Sequence, residues 1–165
     1  MITKQKYLRF KAVITKTQTR LNLFKIIYKF LPIVIFVSYP LLLGILAATR
    51  DGRLLRCITV PLGVFVTVTL VRKFLNFRRP YEALEFEPVF PKSTKGKSFP
   101  SRHTASAAVI AITFLYVNTA FGIVFLVFSI LIAFSRVLAG VHYPRDVIAG
   151  FLFSVVSAAV LLFLL

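Results

Sequence analysis

The sequence predicts an all-α fold: a polytopic membrane helix bundle of about five transmembrane helices, preceded by an amphipathic basic helix. Three observations predict it. Hydrophobic residues make up 58% of the 165 positions, above the roughly 45–50% apolar content of soluble domains. They gather into runs that approach the ~20 residues needed to cross a bilayer. The runs are separated by links rich in Arg, Lys, Gly and Pro, residues that break helices or mark membrane edges.

Residues 1–29 carry eight Lys and Arg and no acid. Apolar positions are interspersed, from Tyr7, Leu8 and Phe10 to Phe24, Ile27 and Tyr28. This is the pattern of a basic amphipathic segment on an anionic membrane surface. Charge interrupts its apolar runs too often for a signal peptide. Residues 30–49 form the first expected span, with Pro32 and Pro40 tolerated as in other membrane helices. The link 50–56 carries a Gly turn, and residues 57–76 form the second span, closed by Arg72 and Lys73. Residues 77–100 are the long polar connection, with Pro80, Pro88, Pro91, Gly96 and Pro100 arguing against a continuous helix. Its acids Glu82, Glu85 and Glu87 lack a neighbouring histidine and are expected to be solvated partners of nearby cations, not metal ligands. The third span is expected over 103–118, where Ala105, Ser106, Ala107, Ala108 and Ala111 permit close helix packing. A turn at 118–122 leads to a fourth span over 121–139, and a fifth follows over 146–165. The basic residues 1–29 thus stand apart from a membrane-embedded domain over 30–165.

Twenty-one Lys and Arg against five Asp and Glu give a net charge of +16. Basic chains often bind nucleic acid. Here the charge lies between apolar runs and no nucleic-acid module is visible, so anionic lipids and a phosphorylated lipid are the expected partners, and nucleic acid is not. The single cysteine, Cys57, excludes an internal disulfide and a cysteine metal cluster. A monomeric bundle is expected.

Chemistry concentrates in residues 135–146, SRVLAGVHYPRD. Pro144 suits the first turn of a helix, and Asp146 lies four residues beyond His142, so both can share one side of that turn. A carboxylate there can fix the proton of one imidazole nitrogen and leave the other as a nucleophile or base. Arg136 adds a fork suited to phosphate. Each residue alone could equally be a helix cap or a membrane-edge cation. The chain holds two histidines and five acids in all, so the cluster is not background. Two further groups match it. In FPSRH, Ser101 and His103 open a helix whose free N–H groups favour an anion, although a serine there is also a natural N-cap. In RKFLNFRRP, Arg72 and Arg79 lie seven apart, on one helical face, while Lys73 and Arg78 read as membrane-edge charges. The third and fourth spans form a hairpin between these loops, so Arg79, Ser101, His103, Arg136 and His142 must emerge on one membrane face.

The three groups resemble the motif blocks of the type 2 phosphatidic acid phosphatase superfamily, K-x6-R-P, P-S-G-H and S-R-x5-H-x3-D. The third block matches as Ser135, Arg136, His142 and Asp146. The second matches as Pro100, Ser101 and His103, with Arg102 in place of Gly. The first matches as Arg72, Arg79 and Pro80, with Arg in place of Lys. The resemblance implies an integral membrane lipid phosphatase without a metal or other cofactor. By that resemblance His142 attacks phosphorus, Asp146 orients it, and His103 protonates the leaving oxygen. Arg72, Arg79, Ser101 and Arg136 hold the phosphate, with Arg102 bringing extra charge to the pocket mouth. Undecaprenyl diphosphate, phosphatidylglycerophosphate and phosphatidic acid are the candidate substrates. A non-catalytic lipid-phosphate-binding or scaffolding protein is the alternative. Small size and a lack of extensions lead to the expectation of a bacterial plasma membrane. The resemblance implies a site outside the cytoplasm, although the basic residues 1–29 would then share that side, against the positive-inside tendency.

Overall fold

The computed structural model describes residues 2–164. Eight α-helices follow in chain order. They are α1 (Lys4–Thr15), α2 (Gln18–Lys25), α3 (Leu31–Ala48), α4 (Leu54–Leu75), α5 (Pro80–Ala83), α6 (Arg102–Val117), α7 (Thr119–Leu138) and α8 (Pro144–Ala159). Two π-helical turns, Ile26–Phe30 and Val160–Leu164, join α2 to α3 and extend α8. Among the described residues, four stretches are long and apolar enough to cross a membrane: Gln18–Ala48, Leu54–Ala83, Thr119–Leu138 and Pro144–Leu164. The third expected span is the shorter apolar helix α6.

The spans fall close to their expected places, with one clear difference. The first begins at Gln18 and runs unbroken to Ala48. Leu21, Phe24, Ile27 and Tyr28 already carry an apolar stripe, so the helix does not wait for the fully apolar run at residue 30. Only α1 is a separate element.

Helix α6 sits at the centre, packed against α3, α4, α7 and α8. Every residue from Thr104 to Phe114 is buried. Its small residues make this possible, because Ala and Ser let neighbouring backbones approach. Sixteen residues at ~1.5 Å each make it shorter than the ~30 Å hydrocarbon core, and the surrounding helices supply the lipid-facing surface. Large apolar side chains such as Leu41, Leu55, Leu62, Phe121 and Leu152 are exposed on those outer helices. Such a surface is unfavourable in water and fits a bilayer. The chain is an integral membrane protein.

Gly150 marks the tightest approach between α8 and the start of α6. A Cβ there would lie 2.8 Å from the Ser101 carbonyl oxygen. Next to it, the Ser101 N–H donates to the Asp146 carbonyl at 2.8 Å. Gly150→Ala is therefore expected to push the α6 start away from α8. The predicted cost is about 1–3 kcal/mol, typical of overpacking, seen as a lowered thermal midpoint in detergent.

Candidate active site

The C-terminal ends of α4 and α7 and the N-terminal ends of α6 and α8 meet at one end of the bundle, as the hairpin count predicts. Backbone bonds tie the connecting segments together there: Ser98 N–H to the Phe77 carbonyl at 2.8 Å, Val89 N–H to the Ala139 carbonyl at 3.1 Å, and the Ser101–Asp146 bond.

His142 lies in the short link between α7 and α8 and is buried, as is Asp146. His142 Nδ1 stands 3.5 Å from Asp146 Oδ2. The same carboxylate oxygen accepts the Tyr143 N–H at 2.9 Å and the Ser98 hydroxyl at 2.5 Å. Capping and pairing are thus both true of Asp146: it closes the first turn of α8 and faces the imidazole. With Nδ1 turned to the carboxylate, Nε2 is the nitrogen left for chemistry. Burial pushes His142 down to about 4, helped by the positive field of Arg79 and opposed by its bond to Asp146. The ring is therefore neutral at pH 7, the form a nucleophile needs. With only two histidines in the chain, ¹⁵N-histidine NMR can read this directly. His142 is expected to take no proton between about pH 7.5 and 5.5. A titration near the ordinary ~6.5 would contradict the burial argument.

The guanidiniums surround this pair. Arg72 is buried near the end of α4 and donates to the Pro100 carbonyl at 2.6 Å, with a longer contact to Ser98 O at 3.4 Å. Lys73, its neighbour, is exposed, as its place on the helix requires. Arg79 precedes α5 and donates through Nε to the Gly96 carbonyl at 3.0 Å. Arg136, buried at the end of α7, donates through Nη2 to the Tyr28 carbonyl at 3.1 Å, and its buried Nε has no partner among the described residues. Neither Arg72 nor Arg136 lies in an ion pair among the described residues. Asp146 is the one buried carboxylate among the described residues.

Ser101 stands at the N-cap position of α6, but its side chain makes no capping bond; its Oγ accepts from the Thr104 hydroxyl at 3.0 Å. The hydroxyl proton of Ser101 is left for another acceptor. His103 is half-buried in the first turn of α6, within electrostatic reach of Arg136, His142, Arg102 and Lys92. Arg102 points elsewhere. It is exposed, with its guanidinium 5.7 Å from the Phe65 ring centre. Arg102 and His103 both line a cavity of about 560 Å³, otherwise walled by side chains such as Phe36, Leu43, Ile58 and Phe65 of α3 and α4.

Three features of the site carry little signal in the sequence. Ser98 sits between Asp146 and His142, 3.5 Å from Nδ1; its only signal was its place two residues before the PSRH block. Lys92 is exposed, and desolvation with the fields of Arg136, Arg79 and Lys29 holds it below its ordinary value. Glu82 is not merely a solvated acid. Its Oε2 accepts the Gly96 N–H at 2.8 Å and holds the loop that anchors Arg79. No group of three His, Cys, Asp or Glu side chains that could hold a metal gathers among the described residues.

The family model described as the PAP2 superfamily matches residues 53–164. Among curated proteins, the chain is 35% identical over 78 residues to undecaprenyl-diphosphatase BcrC of Bacillus subtilis, covering 47% of this chain and 40% of that protein. It is 30% identical over 89 residues to lipid A 1-phosphatase of Rhizobium johnstonii, covering 51% of this chain and 36% of that protein. The chain thus spans less than half the length of these curated relatives. Among solved structures, Aquifex aeolicus LpxE superposes with a TM-score of 0.64 at 28% identity, covering 86% of this chain and 93% of that one. A Bacillus subtilis transmembrane PAP2-type phosphatidylglycerolphosphate phosphatase gives a TM-score of 0.52 at 25% identity, covering 94% and 90%. The matched region contains all three motif blocks and every residue of the cationic cluster named above, and the chain belongs to the PAP2 superfamily.

Proposed function

We propose that this protein hydrolyses a lipid phosphate or diphosphate monoester through a phosphohistidine. The observation that carries the proposal is the charge imbalance around His142. Buried cations need a counter-charge or a strong acceptor. Arg72 and Arg136 are buried without an ion pair among the described residues, while Asp146 is committed to His142, Ser98 and Tyr143. A phosphate group supplies the missing charge and places phosphorus before the free Nε2.

His142 Nε2 attacks phosphorus, forming a P–N bond while the bond to the leaving oxygen breaks. His103 gives its proton to that oxygen. A water molecule then attacks the phosphohistidine, His103 takes a proton from it, and inorganic phosphate leaves with His142 regenerated. Arg72, Arg79, Arg136, Ser101 and the first N–H groups of α6 hold the phosphoryl oxygens as charge builds on them. The cavity beside His103 receives the apolar part of the substrate, and Arg102 at its mouth meets a further negative charge. That extra cation, with the similarity to an undecaprenyl-diphosphatase, puts undecaprenyl diphosphate first among the three candidates.

The exposed Lys4, Lys6, Arg9, Lys16 and Arg20 lie at the site end of the bundle and are proposed to rest on anionic headgroups. The site is proposed to open outside the cytoplasm of a bacterial plasma membrane, on family resemblance and against the positive-inside tendency. In intact cells, a Lys95→Cys variant in a Cys57→Ser background should then react with an impermeant thiol reagent. Reaction only after permeabilisation would reverse the orientation.

The test of function is phosphate release by the purified protein in EDTA from undecaprenyl diphosphate, phosphatidylglycerophosphate and phosphatidic acid. Release is expected, greatest from the diphosphate. No release from any of them by folded protein would favour a binding or scaffolding role.

A further inference from the structure

We propose that residues 4–30, which lie outside the region matched by the family model, brace the phosphate pocket, with Tyr7 and Tyr28 as its positioning residues. What is positioned is named by the phosphatase reading above; the contacts themselves do not depend on it. Tyr7 is 1% exposed although most residues of its helix are exposed. Its hydroxyl donates to the carbonyl oxygen of His142 at 3.3 Å. Its ring stacks on Phe86 at 5.1 Å and meets the edge of Tyr143 at 6.5 Å. The catalytic link is shaped to accept this: Gly140 has φ +77°, and a Cβ there would lie 2.7 Å from Phe86 and 3.7 Å from Tyr7. A side chain at Gly140 would be strained by that backbone angle and would drive the Phe86–Tyr7 stack off the loop. Burial holds the Tyr7 hydroxyl well above its usual range, so it stays a donor.

Tyr28 braces the other side. It lies in the π-helical turn Ile26–Phe30, a local widening often found at functional sites. Its carbonyl accepts from Arg136 Nη2 at 3.1 Å, and its ring lies 4.2 Å from the Arg136 guanidinium carbon. Carbonyl and ring together leave Arg136 little freedom to swing, while its Nε stays open. The Tyr28 hydroxyl is buried without a hydrogen-bond partner among the described residues. The ring, not the hydroxyl, is therefore what the position uses.

The test compares Tyr7→Phe, Tyr28→Phe and Tyr28→Leu in the full chain. It reads kcat and KM for phosphate release, and inorganic phosphate binding by calorimetry. Tyr28→Phe is expected to match the wild type. Tyr28→Leu is expected to lose about five- to tenfold in phosphate affinity and to raise KM similarly, the scale of a desolvated cation–π contact. Tyr7→Phe is expected to lower kcat about fivefold with KM unchanged, the scale of one hydrogen bond. Should Tyr28→Leu fail to fold, Tyr28→Met refills the volume and carries the same comparison. Wild-type values in Tyr7→Phe or in the folded Tyr28→Leu (or Met) variant would overturn the brace. If the wild-type chain binds phosphate but releases none from lipid, and Tyr28→Leu still binds it more weakly, the brace stands and the phosphatase reading falls.

Discussion

His142→Ala is expected to release no measurable phosphate from a lipid substrate, a loss of about 10⁴-fold or more, as when a covalent nucleophile is removed. The protein should remain folded. His142 lies in a link between helices, and the truncated side chain leaves Asp146 with the Ser98 hydroxyl and the Tyr143 N–H still bonded to it. The first turn of α8 therefore keeps its cap. A cost of about 2–3 kcal/mol for the small cavity and the lost imidazole contact is compatible with a native bundle. His142→Gln, closer in volume, serves as a second variant. Turnover above a hundredth of wild type in either, with an unchanged thermal midpoint, would move the nucleophile elsewhere.

The second large effect is predicted for Asp146→Asn, where kcat should fall about a thousandfold, comparable to loss of the carboxylate that orients a catalytic histidine. One oxygen of Asp146 faces three donors: His142 Nδ1, the Ser98 hydroxyl and the Tyr143 N–H. An asparagine can present its carbonyl to them and preserve the helix cap, so stability should change little. What it cannot supply is the negative charge that stabilises the positive imidazole formed as His142 bonds to phosphorus. It also no longer ensures that the proton resides on Nδ1, and a proton on Nε2 blocks attack. KM should change much less than kcat, since the arginines that hold the phosphate are untouched. A parallel rise in KM with little change in kcat would show that Asp146 serves the pocket's shape and not the histidine's chemistry.

The residues of the cluster were legible in the sequence because each is chemically conspicuous. A histidine and an aspartate four apart, beside a proline that starts a helix, announce themselves in a chain with two histidines. The gathering of separate blocks was legible too, since counting spans places two loops on one face without any knowledge of packing. The contacts that fix the geometry were not. Tyr7 and His142 are 135 residues apart, and no local period links them. Ser98 looked like one more small residue in a polar loop; its role depends on that loop folding back over α8. Arg102 and Arg72 are both arginines at helix ends, yet one is exposed over Phe65 and the other is buried against Pro100 O. That difference comes from which face of each helix meets a neighbour. The first span began earlier than expected because apolar stripes and basic charge share residues 18–29, and composition alone weighed the charge more heavily.

Phosphoryl transfer to His142 can be read directly. The most direct measurement is a rapid acid-free quench of the purified protein during turnover of a lipid substrate labelled in its terminal phosphate, followed by proteolysis and mapping of the protein-bound label. A phosphoramidate, stable in base and lost in acid, is expected on the peptide containing His142. It should be absent in His142→Ala. Label on a different residue, or phosphate release that continues in His142→Ala, would contradict it.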